Sequence, residues 1–194
     1  MGLNNRDYLN VIERKIIDEL RIFFNGIDGS GTNPKVFVTG QFPEAENLKF
    51  PSVVVQQIGS GHEEQFIGGN VTMGGSSYTG EILGVGFVIN ILIDKETEID
   101  IAHSGLSAPQ GSAKYRQRRL LNWMMLNISN VINDIDWASA MSSHANLSYD
   151  PNYDASVEVL ERHLQAWRDV GFAPSMQWWG ASAQFMVTFL NYRS

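Results

Sequence analysis

Between Asp7 and Phe24 the apolar residues Leu9, Ile12, Ile16, Leu20 and Phe23 recur at helical spacing, while Glu13, Arg14, Asp18 and Arg21 take the other faces. The pattern predicts a helix that lays one stripe on a core. Asn5 is placed to cap its start, Asp7 suits the positive end of its dipole, and Asn25-Gly26 offers a left-handed stop. Turn residues fill Ile27 to Lys35, and the β-branched run Val36, Phe37 and Val38 then predicts a first strand. Ser52 to Ile58 (SVVVQQI) predicts a second strand. The third, Glu81 to Ile93, has a period of two, with Leu83, Val85, Phe87, Ile89, Ile91 and Ile93 on one face and Gly84, Gly86 and Asn90 on the other. The intervening Gly59 to Gly80 is rich in Gly, Ser and Thr and reads as a long hairpin loop with room for extended arms.

Asp94 to Gly111 reads as a second long polar loop, after which Ser112 is placed to cap a helix over about Ala113 to Asn133. Leu121, Met124, Met125, Ile128, Val131 and Ile132 form its wide apolar face, flanked by Leu120 and Trp123. Asp136 to Tyr153 is an irregular insertion. Val157, Leu160, Leu164 and Trp167 fit a helical period, so Val157 to Val170 is expected to be helical on propensity, although its position before Gly171 and Pro174 would also suit a bulged strand. Ala181 to Tyr192 alternates Ala183, Phe185, Val187 and Phe189 against Ser182, Gln184 and Thr188, the pattern of a half-buried antiparallel strand. The order α-β-β-β-α-β predicts one α+β domain over residues 1–194, in two layers, with an antiparallel sheet carrying both helices on its apolar face.

A chain of 194 residues, 43% hydrophobic and 18% charged, can bury the core this arrangement needs. Its net charge of −7 repels phosphate and disfavours simple electrostatic binding to nucleic acid. Cysteine is absent, which removes disulfides, thiolate metal sites and cysteine nucleophiles together. Met1 to Asp18 lacks the apolar core of a signal peptide, so an intracellular site of synthesis is expected and the sequons at Asn70, Asn127 and Asn146 read as chance matches. No run approaches the roughly 18 apolar residues of a membrane helix, so no membrane partner is expected.

The chemical motifs fail on their contexts. Gly29 to Lys35 lacks the Gly-Lys-Ser/Thr ending of a phosphate loop, and Gly84-Val85-Gly86 lies within a strand and lacks the third glycine of a dinucleotide fingerprint. His62, His103, His144 and His163 are dispersed without a ligand pair, Ser104 lacks a nucleophile elbow, and Glu63 and Glu64 point apart on an extended chain. No catalytic residue, cofactor or metal site is expected.

Lys114, Arg116, Arg118 and Arg119 form the only basic cluster, in what read as the first turns of the second helix, where cations oppose the dipole. Solvation accounts for them simply; pairing of Arg116 and Arg119, three apart, with acids of a neighbouring subunit is the sharper expectation. Of the adjacent pair Trp178 and Trp179, one is expected in the core and the other, Trp178, at an interface, together with the aromatic residues Phe66 and Tyr78 of the glycine-rich segment.

Six segments in succession carry a resemblance to a known family: RDYLNVIERKIIDELRIFF, FPSVVVQQI, the long glycine-rich hairpin, GEILGVGFVINILI, YRQRRLLNWMMLNISNVI and WWGASAQFMVTFLNY. In order and spacing they resemble the tail terminator, or tail-completion, proteins of tailed bacteriophages. The resemblance covers most of the chain but rests on layout, and the insertion near 136–153 departs from it. It implies a structural virion protein and not an enzyme: a self-associated ring, commonly six-fold, that caps the tail tube protein and joins it to the head-tail connector, with a sheath protein as a further partner in a contractile tail. Assembly would occur in the host cytoplasm, and DNA would only pass through the lumen. A head-side neck adaptor is the nearest alternative; a small ligand-binding α+β module would need a convergent apolar pocket.

Overall fold

A computed structural model describes residues 8–28, 36–42, 44, 48–73, 76–102, 112–137, 155–173 and 177–193. Helix α1 spans Tyr8–Asp28 and α2 spans Gln117–Asp134. The strands are β1 (Phe37–Thr39), β2 (Ser52–Met73), β3 (Ser76–Asp94), β4 (Glu98–Ala102), β5 (Ser112–Arg116), β6 (Ala155–Leu164), β7 (Arg168–Ala173) and β8 (Trp178–Arg193). Six of them form one sheet in the order β1-β2-β3-β8-β6, with β7 also paired to β8; β4 and β5 make a separate two-stranded sheet.

The fold is therefore α+β, but its sheet is mixed, because β1 runs parallel to β2. Every other pairing is antiparallel. Register brings the alternating residues into rows: Val53, Ile91 and Ala181; Val55, Ile89 and Ala183; Phe87 and Phe185; Val85 and Val187; Leu83 and Phe189. Nearly all of these join one core cluster with Ile12, Ile16, Leu20 and Phe24 of α1 and Leu120, Leu121, Met124, Ile128 and Ile132 of α2. Phe24 is buried where Phe23 was expected; Phe23 packs beside it, edge-on at 5.2 Å between ring centroids. Arg21 ties α1 to β1 by donating from Nε and Nη2 to the Val38 carbonyl, at 3.1 and 2.9 Å.

Five further expectations are corrected. Helix α1 runs past Asn25-Gly26 to Asp28. The glycine-rich Gly59 to Gly80 is not a loop, since β2 and β3 continue through it to a two-residue connection between Met73 and Ser76. The supposed loop after Asp94 contains β4, whose alternating Glu98-Ile99-Asp100-Ile101 pairs with β5 and buries Ile99. Helix α2 starts four residues later than expected, because Arg116 is extended (φ −147°, ψ 161°) and Gln117 adopts φ 50°, so Ser112 begins a strand and caps nothing. The insertion at Asp136 to Tyr153 lies almost wholly outside the described residues.

The fifth correction is the most instructive. Val157 to Val170 is β6 and β7, the bulged-strand alternative and not a helix. Val159 faces Phe189 and Leu164 faces Phe185, two positions on the same side of β8, yet Val159 and Leu164 are five residues apart. One extra residue, Leu160, is bulged out between them, and it converts a period of two into spacings that imitate a helix. A second bulge extrudes Val170, next to Gly171 at φ 74°. Between β6 and β7 the chain turns Trp167 toward α2, where its Nε1 donates to Ser129 Oγ at 2.9 Å.

This register makes a sharp prediction about chain length. Deleting Leu160 leaves Val159 and Leu164 on one face without a bulge, so that variant should fold and melt within a few degrees of the wild type. Deleting Gln184 from the unbulged β8 turns Phe185, Val187 and Phe189 to the opposite face, at about 1.5–3 kcal/mol each, and should abolish cooperative unfolding. Urea denaturation of the two deletion variants checks both outcomes; equal stabilities would refute the bulge assignment.

Candidate interaction surface

The basic cluster is split by the strand-to-helix junction. Lys114 and Arg116 belong to β5, and only Arg118 and Arg119 lie in the first turn of α2, so Arg116 and Arg119 do not share a helix face as expected. Each cation has a contact within the chain. Lys114 donates to Glu98 Oε1 at 2.6 Å across the β4–β5 hairpin, and Arg116 Nε lies 3.9 Å from Glu98 Oε2. Arg118 reaches Asp169 on β7 at 2.8 Å, and the Arg119 guanidinium sits 4.3 Å from the Tyr115 ring centroid. These contacts are exposed and screened by solvent, so they orient the cations more than they stabilise the fold.

Trp178 and Trp179 face opposite sides of β8, as adjacent strand residues must, but neither is fully buried. Trp179 packs against the core cluster and meets Phe172 at 5.3 Å between centroids. Trp178 lies over Gly180, where an added Cβ would overlap the indole, so glycine there gives the ring its seat. Gly86 has a similar role in β3, with Met186 Sδ and Ile58 Cγ1 at 3.0 and 3.2 Å from a built Cβ. Phe66 and Tyr78 lie in β2 and β3, Phe66 within an irregular stretch of β2 and Tyr78 opposite Val71. Their side chains are outside the described residues.

Sequence reasoning missed the apolar residues that the bulges expose. Ile58, Leu160 and Val170 sit where the register of β2, β6 and β7 shifts by one, and they are 53%, 47% and 61% exposed. Leu160, Val170 and Phe172 lie along the β6–β7 edge of the sheet. No local signal finds them, since the bulges are defined by the partner strand. Between α1 and the C-terminal end of α2, Lys15, Glu19, Ile22 and Phe23 together with Val131, Asp134, Ile135 and Asp136 line a groove of about 420 Å³.

Among the described residues no group of three or more His, Asp or Glu is placed to hold a metal ion, and no helix is long and apolar enough to cross a membrane. His163 is exposed on β6, His62 lies in β2, and His103, His144 and Ser104 are outside the described residues. Neither the models of known protein families nor the curated proteins compared with the chain match it.

The Lys114–Glu98 contact has a defined pH signature. The ammonium hydrogen-bonded to Glu98 holds its carboxyl below the usual carboxylate range, and the carboxylate in turn raises Lys114 above the usual lysine value. Glu98 therefore supports the hairpin above the unfolded carboxyl pKa and loses that role as pH falls through its lowered folded value. Lys114 supports it below the unfolded lysine pKa and loses its role as pH rises through the raised one. In Glu98→Gln, Lys114 should titrate closer to its ordinary value by NMR while the melting temperature changes little; an unshifted Lys114 titration would show that the contact is not formed in solution.

Proposed function

We propose that the chain is a structural subunit of a bacteriophage tail, akin to the tail terminators, with both helices layered over the apolar face of the sheet. It forms a ring, six-fold in the first instance, that caps the tail tube, ends its growth and joins the tail to the head-side connector. A sheath protein would be an outer partner in a contractile tail, and DNA would meet only the lumen. The role is geometric and makes or breaks no bond.

The observation that carries this reading is the unlikeness of the two sheet edges. One is the three-residue parallel β1 followed by the length of β2 beyond Val54, which no described strand covers; the other is the β6–β7 edge bearing Leu160, Val170 and Phe172. Bulges and charged residues, Glu161, Arg162, Arg168 and Asp169 among them, obstruct simple strand addition on that edge, while its exposed apolar side chains remain able to dock. Unlike edges favour head-to-tail contact, which closes into a ring when the rotation between neighbours closes. The order of segments is that of the family resemblance, and the net charge of −7 suits a lumen through which DNA passes without adhering.

The test is direct. The purified chain should be a monomer or a weak oligomer by mass photometry, and should form rings at the ends of polymerised tail tubes, arresting their growth as seen by electron microscopy. A stable two-fold dimer that leaves tube growth unaffected would overturn the proposal.

A further inference from the structure

The residues just before α2 belong by composition to a helix and by position to a strand. From Ser112 to Asn127 the chain has no glycine, proline or β-branched residue. Ala113, Lys114, Arg116 and Gln117 are strong helix formers, and they follow a serine of the type that caps helices. Of the residues of β5, Ser112–Arg116, only Tyr115 favours a strand. Local preference and observed structure disagree over one turn, which leaves this strand dependent on its tertiary contacts.

The disagreement is concentrated at the junction. Gln117, the first residue of α2, has φ 50°, a left-handed conformation that residues other than glycine adopt only under constraint. Arg116 before it is extended, and no side chain caps the helix. Among the described residues β5 pairs with β4 alone, in a two-stranded sheet apart from the main one, and such a hairpin has little stability of its own. Contacts on both sides hold it. Ile99 of β4 is buried in the core cluster, and Tyr115 meets Trp123 at 6.2 Å between ring centroids. Lys114 donates to Glu98 at 2.6 Å, and Arg116 lies 3.9 Å from the same carboxylate. In register Glu98 faces Arg116 and Asp100 faces Lys114, so alternation brings both acids and both bases to one side of the hairpin. The helix dipole adds to the strand's favour, because lengthening α2 would place Lys114 and Arg116 at its positive end.

We infer that Ser112–Arg116 is a two-state segment: a strand latched by Glu98, or an added turn of α2 that starts at Ala113 with Ser112 as its cap. The helical form removes the left-handed Gln117 and supplies the missing cap, while the strand form keeps the hairpin and the contacts of Glu98. In the helical form Ala113 and Gln117 continue the buried stripe of Leu120, Leu121 and Met124. Lys114 and Arg116, together on one side of the strand, turn to opposite faces, and Arg116 joins Arg119 on one face at a spacing of three. The segment shortens by about 9 Å, at ~3.3 Å per residue in a strand and 1.5 Å in a helix, and residues 103–111 offer ample chain to follow it. The latch therefore decides whether Arg116 and Arg119 meet a partner as a pair. It is independent of the tail reading, whose failure would leave it untouched.

The test is NMR of the full-length chain, with the Cα and Cβ shifts of residues 113–116 as the readout, since their deviations from random-coil values have opposite signs in strand and helix. Glu98→Gln removes the charge of the latch. Gln117→Ala keeps the Cβ that disfavours the left-handed junction and raises helix propensity, whereas Gln117→Gly relieves the junction and lowers it. Wild type should show strand shifts over 113–116. E98Q/Q117A should reverse them to helical values, and E98Q/Q117G should return them to the strand. Both substituted side chains are exposed, so every variant should melt cooperatively within a few degrees of wild type.

Strand shifts that persist in E98Q/Q117A would overturn the inference. So would shifts that collapse to those of an unstructured chain, because the segment would then fray and not convert. Equal shifts in the two double variants, or helical shifts already present in wild type, would overturn the latch. Loss of cooperative melting in E98Q/Q117A would overturn it equally, since the helical form retains the core contacts of α2.

Discussion

β3 and β8 pair antiparallel over the full sixteen residues of β8, from Thr79 with Arg193 to Asp94 with Trp178, without a register shift. This straight pair is the constraint to which the other elements adjust. It places Leu83, Val85, Phe87, Ile89 and Ile91 beside Phe189, Val187, Phe185, Ala183 and Ala181, and fixes the apolar surface against which α2 packs. A slip of one residue would turn that whole set to the other face, so the register is held by the core itself. The flanking strands have no such uniform demand. β2 shifts by one at Ile58 and again at Glu63, and the other flank does so at Leu160 and Val170.

The strength of this constraint explains what could be read from the sequence. β3 and β8 were legible because their alternation is uninterrupted. Helix α1 was legible because Ile12, Ile16 and Leu20 keep one stripe, and the buried face of α2 because Leu121, Met124, Ile128 and Ile132 do the same. The elements that depend on a partner were not. Leu160 breaks the alternation of β6 and leaves Val157, Leu160, Leu164 and Trp167 at helical spacing, although the strand exists to cover the open edge of β8. The glycines and serines of 59–80 read as a loop, and strand structure there comes from pairing between β2 and β3. β5 was absorbed into the helix after it, since only its pairing with β4 and the turned Gln117 separate them.

The candidate surface was legible in the same uneven way. The basic cluster was visible as composition, but its partners Glu98 and Asp169 come from β4 and β7, elements that the sequence did not reveal. The contact of Arg119 with Tyr115 follows from the same displaced helix start. Trp178 and Trp179 were correctly read as facing opposite ways, and the seat of Trp178 depends on Gly180 two residues along the same face. The apolar residues Leu160 and Val170 could not have been chosen in advance, because each is exposed by a mismatch of length between strands.

Bulges on the flanking strand bear on how the molecule can meet another. A flat, unbroken edge offers its backbone to any extended chain and so selects partners poorly. The β6–β7 edge is interrupted at Leu160, between its two strands and at Val170, and the side chains at the interruptions project outward. Continuation of the sheet by a further strand is obstructed there. The straight β3–β8 pair is what allows its neighbours to be irregular without loss of the core.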